Sequence, residues 1–317
     1  MSFSDGLDKL VRGDASLGGL SDLAFDRQSN SWASTTDNHG SDPARIWFWT
    51  EPRSPSVDRD PLVLRRPDGT PYDGTTADNE GLAVLPGGDF VVSSETGPSI
   101  RIFGRDGVQK ASLEVPARFA VKGSTPDGQA TVDATLEGLT IAPTGTRIVA
   151  AMESPLAGDA DPALNRFLVY DLDQRGSWRL TKQIAYRTER GNRVPEIQAY
   201  GADSLLVLEG SYRPGSGNGA SLYAVTGLER AADVSGVGSL SAAPASDVVP
   251  KALVADLTRC TTLEAPARQA QRNPLLDNFE GMAVAGGPGD ATVSLISDDN
   301  FSATQITRLL ILTLHLP

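Results

Sequence analysis

Cysteine and histidine are almost missing from this chain of 317 residues. Cys260 is the one cysteine, so no disulfide can form within the chain and no CxxC metal or redox site exists. The two histidines, His39 and His315, exclude a histidine-rich zinc site, and any histidine-based phosphatase chemistry would rest on His39 alone. No run of 18 apolar residues occurs, so no membrane span is expected, and the apolar stretch Leu309 to Leu316 is short enough to read as a strand. Basic stripes are absent and the net charge is −12, which argues against a nucleic-acid partner. The start, MSFSDGLDKL, has no basic region leading into an apolar run, so no export signal is expected in this chain. Location is left between periplasmic or secreted, if a signal has been removed, and cytoplasmic. There is no G-x-S-x-G elbow, and Ser93, Ser94 and Ser211 are too generic to name as nucleophiles. The loop Gly215-Ser216-Gly217-Asn218-Gly219 is followed by neither lysine nor helix, so it is not a phosphate loop.

What is present is repetition. Apolar residues make up 39%, and 32 glycines and 21 prolines occur without a triplet period, a composition that suits turn-rich all-β architecture. Glu80-Gly81-Leu82-Ala83-Val84, Glu137-Gly138-Leu139-Thr140-Ile141 and Glu280-Gly281-Met282-Ala283-Val284 match closely, with degenerate copies at Asp22-Leu23-Ala24-Phe25 and Glu196-Ile197-Gln198-Ala199-Tyr200. Each copy leads through a turn into a short strand ending near a second acid: Asp37, Glu95, Glu153, Glu209 and Asp298. The acid-to-acid gaps are 15, 15, 16, 13 and 18 residues, about what a hairpin needs to bring both acids to one rim. A third strand opens with arginine in four units, at Arg45, Arg101, Arg166 and Arg308, while the fourth unit has Ser221 instead.

The first acids are spaced 58, 57, 59 and 84 residues apart, a length that suits four-stranded propeller blades. The expectation is an all-β fold: a single β-propeller over residues 1–317 with five or six blades of mostly four antiparallel strands. Strands from the two termini would pair to close the ring, and the long fourth interval would carry a loop insertion around 231–275. A sixth blade hidden in that interval stays open.

Glycine after the acid would permit a tight backbone approach. Carboxylates gathered near the axis would repel unless arginine forks or a calcium ion neutralise them. These residues could equally serve architecture alone, knitting one blade or tying it to its neighbour. Alternatively they line a pocket, where arginines suit phosphate or carboxylate and acids with a metal suit hydrolysis by activated water. The last unit, with Asp298-Asp299-Asn300, packs three oxygen-bearing side chains together, and Asp78-Asn79-Glu80 is a smaller such triplet.

The repeated E-G-L pattern, Asn278-Phe279-Glu280-Gly281-Met282, Ser297-Asp298-Asp299-Asn300-Phe301 and Thr307-Arg308-Leu309-Leu310 resemble the phytase-like domain family named for esterase-like activity of phytase. The resemblance runs from about Gly18 to Leu314. It implies a β-propeller, often in exported bacterial proteins, that binds calcium and cleaves phosphate or other esters. No catalytic set is carried over with it. The resulting expectation is a calcium-assisted hydrolase of phosphate or carboxyl esters at an axial pocket, taking a small anionic or ester substrate. Glu80, Glu137, Glu196, Glu280, Asp298 and Asp299 are the expected metal ligands. Arg101, Arg166, Arg308 and Asn300 are expected to hold substrate, and Glu80, Glu280, Asp298 and His39 to do the chemistry. A non-catalytic ligand- or protein-binding propeller and a lactonase-like hydrolase are the alternatives.

Overall fold

A computed structural model describes residues 1–38, 40–57 and 59–317. Five four-stranded antiparallel sheets make a five-bladed propeller. Blade 1 holds Leu20–Asp26, Ser31–Thr36, Arg45–Trp49 and Leu62–Val63. Blade 2 holds Asn79–Val84, Phe90–Ser94, Ser99–Phe103 and Gln109–Leu113. Blade 3 holds Leu136–Ile141, Arg147–Met152, Leu164–Leu172 and Trp178–Arg187. Blade 4 holds Arg193–Gly201, Ser204–Arg213, Gly217–Thr226 and Lys251–Asp256. Blade 5 takes Asn278–Ala285, Gly289–Asp298 and Leu309–Leu316 from the end of the chain, and Ser2–Ser4 from its beginning. The terminal strands therefore close the ring, with Phe3 opposite Leu310.

The hairpins follow from turn chemistry. In blade 2, Leu85 N donates to Asp89 O (2.8 Å) around Pro86-Gly87-Gly88, with Gly88 at φ 90°. In blade 3, Ala142 N donates to Arg147 O (2.8 Å) around Pro143-Thr144-Gly145, with Gly145 at φ 72°. Glycine takes this left-handed position without a side-chain penalty, so the strand returns within a few residues.

Between the turns the inner strands of each blade are buried on both faces, because every sheet lies between two others, while outer strands such as Gln109–Leu113 and Lys251–Asp256 are largely exposed. The core accordingly divides into five main clusters, each drawn from two consecutive blades. Val91 and Ile100 of blade 2 pack with Ile148 and Leu168 of blade 3. Val149 and Phe167 of blade 3 pack with Val207 and Val225 of blade 4, and the other three seams are built alike. Each fully buried side chain of this size contributes about 1.5–3 kcal/mol.

The long fourth interval holds no sixth blade. Residues 227–250 form an excursion that returns to blade 3, where Val234 and Leu240 pack with Leu164 and Ala185. Lys251–Asp256 then completes blade 4. No α-helix occurs among the described residues, which include five short 3-10 turns, and none is long and apolar enough to cross a membrane.

Candidate functional site at the propeller axis

The innermost strand of every blade breaks register at its acid. The shifts fall between Ser21 and Ala24, Asn79 and Leu82, Leu136 and Leu139, Arg193 and Glu196, and Phe279 and Gly281. Such a bulge re-aims a side chain away from the ladder. Glycine after the acid has a second cause. A Cβ on Gly81 would lie 2.6 Å from Glu137 O, on Gly138 2.7 Å from Ile197 N, and on Gly281 2.5 Å from the Asp22 carbonyl carbon. The next blade's innermost strand passes so close that no side chain fits.

The two copies without glycine behave differently. Asp22, at φ 64°, accepts from Leu23 N in its own blade and from Leu82 N in blade 2. Glu196 accepts from Ile197 N (2.6 Å) and from Leu139 N (3.1 Å) in blade 3. The two carboxyl groups also lie close enough to act on each other's protonation, although blades 1 and 4 are not neighbours, so they meet across the centre of the ring. Burial pushes Asp22 up to about 7 against the hydrogen bonds it accepts, and burial followed by the Asp22 charge raises Glu196.

The other acids open onto a cavity of about 360 Å³. Among the described residues, nine carboxylates line it: Asp37 from blade 1; Asp78, Glu80 and Glu95 around blade 2; Asp133, Glu137 and Glu153 around blade 3; Glu280 and Asp298 from blade 5. Asn300 and Arg193 complete the wall. Three groups of acids, Asp37–Asp78–Glu80, Asp78–Glu95–Asp133 and Glu95–Glu137–Glu153, each bring ligand oxygens within 4.8 Å of one another. Together they form a continuous arc from blade 1 to blade 3. At the end of this arc the Arg193 guanidinium donates to Glu153 Oε1 (2.7 Å), and on to Asn278 Oδ1 (2.7 Å) and Glu280 Oε1 (2.8 Å) of blade 5.

Burial and mutual repulsion make several of these acids hold their protons more tightly than free carboxyl groups do. Burial, then the hydrogen bond to Asp78 and the charges of Asp298, Asp78 and Glu280, push Asp37 up to about 10. Burial raises Glu95 to about 8 despite its hydrogen bond from Thr135 N. Glu80, Glu137 and Asp298 lie well above the carboxylate range, from burial and then from Glu137, Glu153 and Glu280 respectively. Glu153 is raised by burial, with Arg193 opposing. The buried oxygens Asp78 Oδ1 and Glu137 Oε2 receive no backbone or basic side-chain donor. An all-oxygen set whose ligand oxygens lie this close together fits a hard cation.

The cavity thus gathers Glu80, Glu137, Glu280, Asp298 and Asn300 from the residues expected there. It does not gather the others. Glu196 turns to Asp22. Asp299 accepts from Lys9 Nζ, Gly19 N (2.9 Å) and Phe301 N (3.1 Å) and does not line the wall. The three arginines expected to hold an anion are engaged elsewhere. Arg166 is buried and pairs with Asp159 (2.7 Å), and it donates to Val234 O and Val237 O (both 2.9 Å), tying the excursion of blade 4 onto blade 3. Arg308 pairs with Asp5 (2.7 Å) and donates to the carbonyls of Pro274, Leu275 and Pro266. Arg101 lies over the Tyr72 ring at 4.8 Å. His39 lies outside the described residues.

Arg193 and Asp133 were missed, and Asp78 was noted only within its oxygen-rich triplet, although a signal for all three exists. Each stands two to four residues ahead of the repeated acid, in Asp78-Asn79-Glu80, Asp133-Ala134-Thr135-Leu136-Glu137 and Arg193-Val194-Pro195-Glu196. Glu95, Glu153 and Asp37 were visible as second acids of the repeat. In blade 4 the second acid, Glu209, instead accepts from Tyr186 Oη (2.7 Å), Glu189 N (2.8 Å) and Asn192 Nδ2 (3.0 Å). Blade 4 therefore offers the cavity a cation where the other four offer acids.

Comparisons with known proteins agree with this architecture. No curated protein sequence matches the chain. Among solved structures, a family 43 β-1,3-galactosidase bound to galactodeoxynojirimycin is similar at TM-score 0.52 with 10% identity, over 94% of this chain and 91% of that one. A gluconolactonase from Xanthomonas campestris gives TM-score 0.41 with 13% identity over 96% and 95%, and a streptogramin B lyase 0.40 with 10% identity over 100% and 87%. At these identities the first likeness speaks to fold alone and the other two carry no argument. The family model described as phytase-like, esterase-like activity of phytase, matches residues 15–301. That span takes in all five innermost strands and every residue lining the cavity, and the chain belongs to this phytase-like family.

Proposed function

We propose that the axial cavity binds a divalent cation, calcium by its oxygen donors, and hydrolyses a neutral carboxyl ester, lactones included. The observation that carries this reading is the make-up of the wall: nine carboxyl groups against one arginine, with that arginine already bonded to two acids. A phosphate ester would be repelled by each of these groups that ionises to hold the cation, and the arginines expected to receive it are bonded elsewhere in the blades. A neutral ester meets no such barrier, so the lactonase-like reading is favoured over phosphate ester cleavage.

Asp37, Asp78, Glu80, Glu95, Glu137 and Glu153 would hold the cation. A bound divalent cation supplies polarisation of the ester carbonyl. The remaining chemistry belongs to the opposite wall. Glu280, anchored by Arg193 and Asn278 Nδ2 (3.0 Å), takes a proton from the attacking water as its oxygen bonds to the carbonyl carbon. Asp298, whose carboxyl group burial and then the Glu280 charge hold well above the usual carboxylate range, gives its proton to the leaving alkoxide as the ester C–O bond breaks. Proton transfer along the Glu280–Asp298 hydrogen bond restores both groups.

The test is calcium content of protein purified without chelator, followed by hydrolysis of δ-valerolactone, phenyl acetate and phenyl phosphate with calcium or with chelator. Calcium-dependent turnover of the lactone or the carboxyl ester is expected, with phenyl phosphate untouched. Absence of both bound calcium and turnover would overturn the reading, and so would a preference for phenyl phosphate.

A further inference from the structure

In blades 1, 3 and 5 the third strand puts an apolar side chain into the seam with the blade before it round the ring. The place is opposite the residue three before the second acid: Trp47 opposite Ser34, Leu168 opposite Ala150 and Leu310 opposite Leu295. All three of these side chains are buried in their seams. Blade 2 has Arg101 at this place, opposite Val92, which packs in the seam with blade 1. A cation set into an apolar slot needs a counter-charge. Arg166 and Arg308, which also open third strands, each hold a carboxylate, Asp159 and Asp5. Arg101 holds none among the described residues. Burial lowers its guanidinium from the usual value, Tyr72 opposes this and the Arg66 charge adds to it, with no acid in the balance.

Arg66 makes the imbalance sharper. Its guanidinium lies 4.6 Å from the centre of the Tyr72 ring, and that of Arg101 lies 4.8 Å from the same centre. Tyr72 is buried and fixed from two sides. It meets Phe103 in a T-shaped contact with ring centres 6.0 Å apart, and its hydroxyl donates to Gln109 Oε1. Two half-buried cations therefore share one rigid ring, and like charges held this way repel. Arg66 Nη1 donates to Pro71 O (2.7 Å) and Thr70 Oγ1 (3.4 Å), so it meets neutral acceptors. Asp68 and Asp73 feel the Arg66 charge, but they accept from Thr70 N (2.9 Å) and Thr75 N (3.1 Å) and form no ion pair with it. Ser112 stands opposite Arg101 on the outermost strand. Its hydroxyl oxygen accepts from Gln109 Nε2 (2.9 Å), which leaves its own O–H to donate.

We propose that Arg66, Arg101 and Ser112 form a phosphate-binding site at the outer part of the seam between blades 1 and 2. A phosphate dianion neutralises both guanidiniums at once, and its oxygens match their planar forks, whereas a carboxylate neutralises only one. None of the three residues lines the axial cavity, so the site stands whether or not the axis is catalytic. The phosphate is either free or carried as a monoester on a larger molecule.

The test is calorimetric titration of sodium phosphate and of phenyl phosphate into the protein in chelator, with ionic strength held by sodium chloride. Saturable binding is expected. Arg101→Leu and Arg66→Gln should each weaken it at least about tenfold, the loss of one charged hydrogen-bond partner. Arg101→Lys keeps the charge without the fork and should bind better than Arg101→Leu but less well than the parent. In phosphate-free buffer Arg101→Leu should melt no lower than the parent, because blades 3 and 5 already carry leucine at this place; its lost binding is then not a lost fold. Tighter binding of phenyl phosphate than of inorganic phosphate assigns the site to a monoester, and equal or weaker binding assigns it to free phosphate. No saturable binding of either below about 10 mM overturns the proposal, and so does binding that survives Arg101→Leu or Arg66→Gln unchanged.

Discussion

Arg193 is the residue on which the charge of the cavity turns. Its guanidinium spans from blade 4 to Glu153 and Glu280, so it compensates two acids from two other blades. Arg193→Met keeps the length of the stem and removes that compensation. At pH 8 the variant should lose about 2 kcal/mol in chelator, since hydrogen bonds to charged partners are worth about this much and the site is partly solvated. At pH 5, where more of the acids are protonated, the loss should shrink; urea unfolding at both pH values reads the difference. The same variant should bind calcium more tightly, because a cation no longer competes for the same carboxylates, and isothermal calorimetry would show it. Asp298→Asn tests a separate role: calcium binding is expected to persist while lactone turnover falls at least about a hundredfold, the contribution of one general acid. Unchanged turnover would remove Asp298 from the mechanism.

At the scale of strands, the bulged innermost strands determine what can be altered. Gly138→Ala or Gly281→Ala forces a methyl group against the backbone of the next blade, and overpacking of this kind costs about 1–3 kcal/mol. A fall in melting temperature is expected, without loss of calcium binding in whatever fraction stays folded. These strands were also the most legible part of the sequence. The acid, the glycine and the hairpin length all follow from local geometry, so three strict copies and two degenerate ones placed all five blades. The arginines were legible as strand starts but not as to what they hold. Arg166 and Arg308 grip carbonyls dozens of residues away, on excursions whose path no local pattern encodes. The same excursions left the blade count open, since 84 residues contain either a blade or a long detour. Arg193 was hidden because it sits in the one unit that had lost both its glycine and its third-strand arginine.

For the molecule as a whole, the raised carboxyl groups set a pH dependence. A carboxyl group that binds its proton more tightly when folded adds stability below its unfolded value, near 4, and that stability is lost as pH rises through the folded value. With Asp22 at about 7 and Glu95 at about 8, the metal-free protein should lose melting temperature steadily between pH 5 and pH 9. Calcium should cancel the part due to the cavity and release protons as it binds, which a weakly buffered titration detects. Removing residues 1–4 should act at every pH, because it strips blade 5 of its outer strand and leaves Leu309–Leu316 as an open edge. Aggregation on heating is the expected sign. A further consequence belongs to the meeting of Asp22 and Glu196. Five is an odd number, so five identical spokes could never pair off at a hub. Two spokes depart from the common pattern, and these are the two whose acids meet. An idealised ring assembled from five copies of blade 3 would be more regular than this protein, yet it would have no clasp, and its hub would collect fifteen carboxyl groups, three from each blade, with no arginine among them.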